Sequence, residues 1–262
     1  MHDDQQLRAR IWAHDAVYFG TMSSPSVHDG WCSYRNPDLA GRYDPNHVGL
    51  IRLHPEHVTG FVSTIIAEAD ADARPAVVYR DADARPHTLH SDLCAAGFVR
   101  MHDAVWDVVD LMTCTHAAPV VGSGVVSRVD CDADAAAWAA LHEPDPYTPP
   151  EIMARLRRAE IADSRVTAWL ISVDQHPVGR CLSFIDAGLG RVESVFVHPD
   201  ARCQGLATAL VGHVTAHIAA NGAVPYLFAL HDGGAHRVYH RLGYRVLVHD
   251  AVETYVRAFR AS

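Results

Sequence analysis

Several features of membrane and secreted proteins are missing from this sequence of 262 residues. No run of apolar residues approaches the roughly 18 that a transmembrane helix needs, and the opening Met-His-Asp-Asp does not resemble a signal peptide. No C-x-x-C pair is present, so we expect free thiols in a reducing compartment at Cys32, Cys94, Cys114, Cys131, Cys181 and Cys203. These absences predict a cytoplasmic protein with no membrane partner.

Signatures of several enzyme classes are also missing. There is no G-x-S-x-G motif, so hydrolase chemistry has no support. His213 with His217 and His236 with His240 have the helical spacing of zinc ligands, but neither pair has the glutamate of H-E-x-x-H or an evident third ligand. We therefore predict no metal site. The formal net charge of −9 disfavours nucleic acid as a partner.

Residues 196–207 carry the strongest positive signal, with the sequence Phe-Val-His-Pro-Asp-Ala-Arg-Cys-Gln-Gly-Leu-Ala. This pattern predicts a strand that stops before Pro199, then a short loop and the start of a helix. The first amides of a helix have no intrahelical acceptor and attract anions. Gly205 lets a bulky group approach the backbone, and Arg202 adds a permanent charge. The segment is therefore predicted to bind phosphate.

The elements on either side of this loop are predicted from their apolar spacing. Apolar residues recur every four positions from Leu206 to Ile218, which predicts one buried helical stripe. The preceding residues are rich in β-branched and aromatic side chains, as in a strand. A period of two would place Glu193 on the same face of this strand as Val195 and Val197.

Three motifs together resemble the GNAT superfamily of acyl-CoA-dependent N-acetyltransferases. They are Val197-x-Pro199, Arg202-x-x-Gly205-x-Ala207 and Val238-Tyr-His-Arg-Leu-Gly-Tyr244, and they lie in the C-terminal half of the chain. The resemblance implies an α/β fold of mixed sheet with helices on both sides, and acetyl-CoA as co-substrate. The residues that it implies for cofactor binding are Phe196, Val197, Arg202, Cys203, Gln204, Gly205, Leu206, Ala207, Thr208 and Asp232; at Asp232 many family members carry asparagine.

The resemblance also implies which groups react. Tyr239 is expected near the thioester sulfur, where its phenol can donate a hydrogen bond to the departing thiolate. Glu193 is the candidate base that takes the proton of the attacking amine, and His231 and Asp232 are alternatives. A salt bridge to an arginine such as Arg180 is the structural explanation for the same glutamate, and some family members use no dedicated base.

The acceptor is predicted to be a primary amine of a small molecule or peptide, acetylated by direct attack in a ternary complex. The segment 141–150 joins the first two helices of the C-terminal half and is expected to line the acceptor pocket. Glu143, Asp145 and Tyr147, together with His231, are the candidate contacts for a cationic amine. Ordinary acidic turn residues are the alternative explanation for this segment.

The N-terminal half contains a weak repeat of the C-terminal half. Residues 52–98 align with 196–244, with a His-Pro step at 54 and 198 and a Gly-aromatic step at 97 and 243. In the first copy Val58 replaces Arg202, and Gly60 is the one remaining glycine of the loop. We predict two GNAT-like domains joined near 113–124, a degenerate one at 1–116 and an acetyl-CoA-binding one at 117–262. Chance similarity between two α/β domains is the alternative.

Two other functions stay open at this point. The chain could bind acyl-CoA without catalysis, as a sensor or structural protein, or it could use a different acyl donor, either a longer acyl-CoA or an aminoacyl compound. The sequence is compatible with a monomer or a homodimer.

Overall fold

The computed structural model describes residues 2–102, 109–115, 124–142, 149–231 and 233–259. The chain divides into two compact units. Unit 1 consists of Met1–Asp15 and Leu111–Leu247, and unit 2 consists of Ala16–Asp110 and Val248–Ser262. Each unit therefore contains segments from both halves of the sequence. The predicted domain division at residues 116 and 117 stays a prediction.

The described residues form seven α-helices and twelve strands. The helices are α1 (His2–Gly20), α2 (Val58–Ala71), α3 (Leu89–Ala95), α4 (Asp132–Ala140), α5 (Pro150–Glu160), α6 (Leu206–Ala220) and α7 (His236–Arg241). The strands are β1 (Ser24–His28), β2 (Trp31–Arg35), β3 (Val48–Gly49), β4 (Ala76–Asp81), β5 (Val99–Arg100), β6 (Val109–Cys114), β7 (Val125–Arg128), β8 (Val166–Val173), β9 (His176–Asp186), β10 (Leu189–Val197), β11 (Val224–Leu230) and β12 (Tyr244–Arg257). None of the described helices is long and apolar enough to cross a bilayer.

The sheet of unit 1 is mixed, with strand order β12–β6–β11–β10–β9–β8–β7. β10 runs antiparallel to β9 but parallel to β11, and two parallel neighbours need a crossover between them. Here the 3₁₀ helix Pro199–Ala201 and α6 form that crossover. α6 packs on β8, β9, β10 and β11, and α4 packs on β8 and β9. The predicted fold class, a mixed α/β sheet with helices on both sides, is confirmed.

The core of unit 1 lies mainly between α6 and the sheet. The predicted apolar stripe of α6 is buried in this core, where Leu206 is 1% exposed and Leu210, Val214 and Ile218 are fully buried. The helix ends before Asn221, as the spacing predicts. Burying one such side chain contributes about 1.5–3 kcal/mol, so this stripe holds α6, and with it the preceding loop, firmly against the sheet.

Unit 2 has its own core and contains a similar succession of elements. β3 and β4 are parallel, and the 3₁₀ helix Pro55–His57 and α2 connect them. α3 follows β4, and Gly97 after α3 has a positive φ of 85°, as Gly243 after α7 has a φ of 90°. This order agrees with the alignment of 52–98 with 196–244.

The two units differ at the start of the crossover helix. In unit 1 the residues 202–205 separate the 3₁₀ helix from α6, whereas in unit 2 the 3₁₀ helix runs directly into α2 at Val58. Gly60 is the third residue of α2 and not part of a loop. The loop that the sequence predicts to bind phosphate therefore has no counterpart at this place in unit 2.

The contact between β10 and α6 gives a test of this packing. A methyl group at Gly190 would overlap the side chain of Ile218, and overpacking of a core costs about 1–3 kcal/mol. We expect Gly190→Ala to lower the free energy of unfolding in urea by that amount. In an Ile218→Ala background the same change should cost less, because the space is then available. Strictly additive costs would contradict the contact.

Candidate active site

A bulge interrupts β10 near its centre. Ser194 has left-handed backbone with a φ of 55°, and the register with β9 shifts between Glu193 and Phe196. Glu193 pairs with Leu182 of β9 and Phe196 pairs with Arg180, and residues two apart on a strand lie on one face, so Glu193 and Phe196 share a face. Val197 lies on the other face, in the core under α6. The prediction that Glu193 shares a face with Val197 is wrong, because a bulge adds a residue and breaks the period of two.

β10 and β11 separate at the level of this bulge. Their last paired residues are Arg191 and Tyr226, although β10 continues to Val197 and β11 to Leu230 in the described structure. The two parallel strands therefore leave an opening between their C-terminal ends. An extended ligand can hydrogen-bond to a strand exposed in this way, as in β-augmentation.

The backbone of Val197 faces this opening. The N–H of His198 donates to the carbonyl of Val178 at 2.8 Å, and in an antiparallel pair bonded and non-bonded residues alternate. The backbone groups of Phe196 therefore point toward β9, and those of Val197 point away from it. The Nε of Arg202 donates to the carbonyl of Val197 at 2.9 Å, which ties the loop to the end of the strand.

The loop before α6 contains two residues with left-handed backbone, Cys203 with a φ of 64° and Gly205 with a φ of 79°. A Cβ added at Gly205 would have no atom within 4 Å, so space lies in front of this residue. The N–H of Ala209 donates to the carbonyl of Gly205 at 3.0 Å, closing the first turn of the helix. The three amides before that of Ala209 belong to Leu206, Ala207 and Thr208, and they have no acceptor among the described residues. This arrangement suits an anion.

Glu193 is held in a partly buried ion network. Arg191 pairs with both Glu193 and Asp15 of α1, and its Nε lies 2.9 Å from the Oε2 of Glu193. The N–H of Ser194 donates to the Oε1 of Glu193 at 2.9 Å. Burial raises the pKa of Glu193, but the charge of Arg191 and the Ser194 N–H outweigh burial, and the net pKa lies below its ordinary value. Glu193 is thus ionised at neutral pH.

Glu160 supports the bulge from the end of α5. This glutamate is 6% exposed, and both of its oxygens accept from the Nη1 of Arg157, at 2.9 and 2.7 Å. The hydroxyl of Ser194 donates to its Oε1 at 3.0 Å. Because Ser194 is the residue with left-handed backbone, one buried carboxylate connects α5 to the irregular part of β10.

Tyr239 of α7 is buried in the same core as Val197, with 7% of its surface exposed. Its ring centroid lies 6.0 Å from that of Tyr244, whose hydroxyl is 2.9 Å from the Oγ1 of Thr215. The hydroxyl of Tyr239, by contrast, has no hydrogen-bond partner among the residues that the structure describes. Burial raises the pKa of Tyr239 above its ordinary value, and the negative charge of Glu193 acts in the same direction. The phenol therefore stays protonated at neutral pH.

The sequence from α4 to the start of β12 matches a known family. Residues 135–244 match the model of the Acetyltransferase (GNAT) family. This part of the chain, residues 135–244, is a GNAT acetyltransferase domain by that match. The matched residues include the bulge, the loop before α6 and Tyr239, and the GNAT fold supports acyl transfer in general. Among curated proteins no match is found.

Solved GNAT structures share the fold over most of the chain. A GCN5-related N-acetyltransferase from Kribbella flavida has a TM-score of 0.67 and 18% identity, covering 97% of this chain and 96% of that chain. A GCN5-related N-acetyltransferase from Sphaerobacter thermophilus has a TM-score of 0.60 and 19% identity, covering 89% and 78%. A tandem GNAT protein from the clavulanic acid biosynthesis pathway, without acetyl-CoA, has a TM-score of 0.53 and 13% identity, covering 82% and 76%.

The structure places most of the predicted cofactor-binding residues on one continuous path and leaves four predicted site residues outside the described residues. Tyr239 and Glu193 lie on α7 and β10. One continuous path of strand end, loop and first helical turn contains Phe196, Val197, Arg202, Cys203, Gln204, Gly205, Leu206, Ala207 and Thr208. His231 follows β11 directly and is exposed. The residues outside the described chain are Asp232, Glu143, Asp145 and Tyr147.

The residues that support the bulge in β10 were not predicted from the sequence. The bulge residue Ser194 and its support Glu160 carry no recognisable motif. Glu193 pairs with Arg191 of its own strand, whereas the sequence suggested Arg180. The available signal was two opposite charges, Arg191 and Glu193, separated by one residue in an otherwise apolar strand.

The support of the bulge by Glu160 gives the second test. Glu160→Gln leaves the buried guanidinium of Arg157 without its counter-charge, and breaking a buried ion pair costs about 3–5 kcal/mol. We expect a loss of that size in the free energy of unfolding in urea. Glu151→Gln on the exposed side of the same helix is the control, with a change within about 0.5 kcal/mol. Equal effects of the two variants would contradict the buried role of Glu160.

Proposed function

We propose that the chain is an N-acetyltransferase that moves an acetyl group from acetyl-CoA to a primary amine by direct attack in a ternary complex. The observation that carries this proposal is the arrangement around the loop at 202–205 of unit 1. The loop follows β10, which has separated from β11, and precedes the amides of the first turn of α6, which have no acceptor among the described residues. The family match over residues 135–244 includes both features. Bound acetyl-CoA would supply an electrophilic acyl carbon and a thiol leaving group.

The residues of the loop fit a pyrophosphate. The amides of Leu206, Ala207 and Thr208 lack acceptors among the residues that the structure describes, and Gly205 has no side chain in front of them. The helix dipole adds to this attraction for negative charge. Arg202 brings a positive charge to the same loop, in addition to its bond with Val197. We propose that the outward N–H of Val197 binds the amide-bearing arm of the co-substrate.

Tyr239 is the proposed proton donor to the leaving thiolate. Its phenol is buried, has no hydrogen-bond partner in the described part of the chain, and stays protonated at neutral pH because burial raises its pKa. A ligand that accepts a hydrogen bond there would give the hydroxyl a partner. Protonation of a leaving group by a positioned acid typically contributes 10²- to 10⁴-fold to a rate.

Glu193 is the proposed base, and the structure makes it a weak one. Its pKa is lowered by the charge of Arg191 despite burial, and a carboxylate with a low pKa holds a proton poorly. We therefore propose that Glu193 takes the proton of the amine only in passing, directly or through water. Its contribution to kcat is expected to be smaller than that of Tyr239.

The amine is proposed to enter near the segment between α4 and α5. Glu143, Asp145, Tyr147 and His231 remain proposed contacts on this side. We also propose that residues 52–98 are a second, degenerate GNAT copy that does not bind acetyl-CoA. The parallel pair β3–β4 with its crossover helix supports a common origin, and the missing loop before α2 supports the loss of the site.

The role of Tyr239 can be separated from a packing role by a matched pair of variants. Tyr239→Phe removes a hydroxyl without a described partner, so it should lower kcat at least about 100-fold with little change in stability. Tyr244→Phe removes the bond to Thr215 and should cost about 1 kcal/mol of unfolding free energy with kcat unchanged. Thiol release from acetyl-CoA, measured over a panel of amines, gives kcat. Unchanged turnover in Tyr239→Phe would remove the assignment.

The location of the donor site can be tested at two glycines. Gly205→Glu puts a bulky negative side chain in front of the open amides and should abolish CoA binding measured by calorimetry. Gly60→Glu changes an exposed residue of α2 in unit 2 and should leave CoA binding at the wild-type affinity. Normal binding by Gly205→Glu would contradict the proposed site. Tight CoA binding without turnover on any amine would instead indicate an acyl-CoA sensor.

A further inference from the structure

Arg180 of β9 is a buried arginine that forms no ion pair among the described residues. It is 3% exposed, and no residue in the described part of the chain forms a hydrogen bond or an ion pair with its side chain. Its Nε and Nη1 are both enclosed without an acceptor. Arginine is rarely buried unless it is paired, and a buried donor without an acceptor lowers stability. The described residues do not account for how the buried charge and donors of Arg180 are stabilised.

The guanidinium of Arg180 is fixed in one orientation by Trp138 of α4. Its central carbon lies 4.2 Å from the centroid of the Trp138 rings. The indole N–H of Trp138 donates to the carbonyl of Cys181 at 3.0 Å, so the backbone next to Arg180 holds the ring that stacks on it. Stacking uses the flat face of a guanidinium. The N–H groups at its edge keep the geometry that binds a carboxylate through two parallel hydrogen bonds.

The nearby carboxylates are already bound to other groups. Glu160 accepts from Arg157 and from Ser194, and Glu193 accepts from Arg191 and the Ser194 N–H. Burial, with a smaller effect of Arg157, lowers the pKa of Arg180 to about 10, and the charges of Glu160 and Glu193 act in the opposite direction. Arg180 therefore stays charged at neutral pH, whereas the carboxylates of Glu160 and Glu193 are bound to other groups. A bound anion would supply the missing acceptors.

The position of Arg180 connects it to the acceptor side of the site. In the ladder of β9 with β10 it lies opposite Phe196, beyond the bulge and level with the opening. Its stacking partner Trp138 lies three residues before the segment 141–150, which is expected to line the acceptor pocket. Glu160 and Arg157 belong to α5, the helix that follows that segment. Arg180 thus lies beside α4 and α5, the two helices that flank the predicted acceptor segment in the sequence.

We propose that Arg180 binds the carboxylate of the acceptor, so that the amine acetylated by this protein also carries a carboxylate, as an amino acid does. The assignment rests on the proposed acetyl transfer, and it narrows the acceptor from any primary amine to an aminocarboxylate. Arg180 sets specificity and does not react. Its forked donors would fix the distance between the carboxylate and the amine, and thereby the position of the amine nitrogen.

The test compares amino acids with the amines that remain when their carboxylate is removed. Binding of each pair to the full-length protein is measured by calorimetry in the presence of CoA, and thiol release is measured with acetyl-CoA. For wild type we expect at least one amino acid to bind about 30-fold or more tightly than its decarboxylated partner, since losing one side of a buried charge pair commonly costs that much. If no amino acid binds better than its partner, the proposal is overturned.

Two variants identify Arg180 as the origin of this preference. Arg180→Met should remove the preference with little change in Tm, because the loss of the contact with Trp138 is offset by the removal of buried donors that have no acceptor. Arg180→Lys should recover only part of it, because an ammonium lacks the fork. Arg165→Met is the control, since Arg165 also stacks on a ring, 5.1 Å from that of Phe184, but is paired with Asp163 and partly exposed. It should keep the full preference. A preference that survives Arg180→Met would overturn the proposal.

The two readouts separate this inference from the proposed function. Carboxylate-dependent binding that is lost in Arg180→Met, without any thiol release, would support the role of Arg180 and contradict acetyl transfer. Thiol release that is equal for amino acids and plain amines would support acetyl transfer and overturn the role of Arg180.

Discussion

The bulge at Ser194 is the irregularity on which the rest of the site in unit 1 depends. A regular β10 would continue to pair with β11 beyond Arg191, and the opening between the two strands would be filled by their own hydrogen bonds. The left-handed backbone of a non-glycine residue costs about 1 kcal/mol or more. Glu193 and Glu160 both accept hydrogen bonds from Ser194 and offset this cost. The carboxylates that hold the bulge are therefore as necessary to the site as the loop that follows it.

Near the bulge, positive and negative side chains are equal in number, but they are not all paired with one another. Three arginines and three carboxylates lie together there: Arg157, Arg180, Arg191, Asp15, Glu160 and Glu193. Buried charges are tolerated when partners and hydrogen bonds are close, and all except Arg180 have such partners. The network thus stabilises the strand while leaving one set of donors for a ligand. Stability and acceptor specificity are separated within one cluster.

The regular elements could be predicted from sequence because their signals are local. The stripe from Leu206 to Ile218 follows the helical period, and the loop before it has the composition of an anion site. The bulge could not be predicted, because Ser194 has no local property that requires left-handed backbone. Its conformation depends on Glu160, which lies 34 positions earlier in the chain. The pairing of Arg191 with Asp15 joins segments still farther apart. Interactions of this kind leave no periodic trace in one sequence.

Unit 2 consists of two segments that lie far apart in the sequence, and this has a consequence for folding during synthesis. β4 pairs with the end of β12, with Val78 opposite Tyr255 and Val77 opposite Val256. A ribosome therefore has to synthesise nearly the whole chain before the sheet of unit 2 can gain this strand. Until then one edge of β4 is open, and open apolar edges invite aggregation. A fragment cut between the sequence halves would keep that edge exposed permanently, so isolating unit 2 requires joining residues 16–110 directly to 248–262 and not simple truncation.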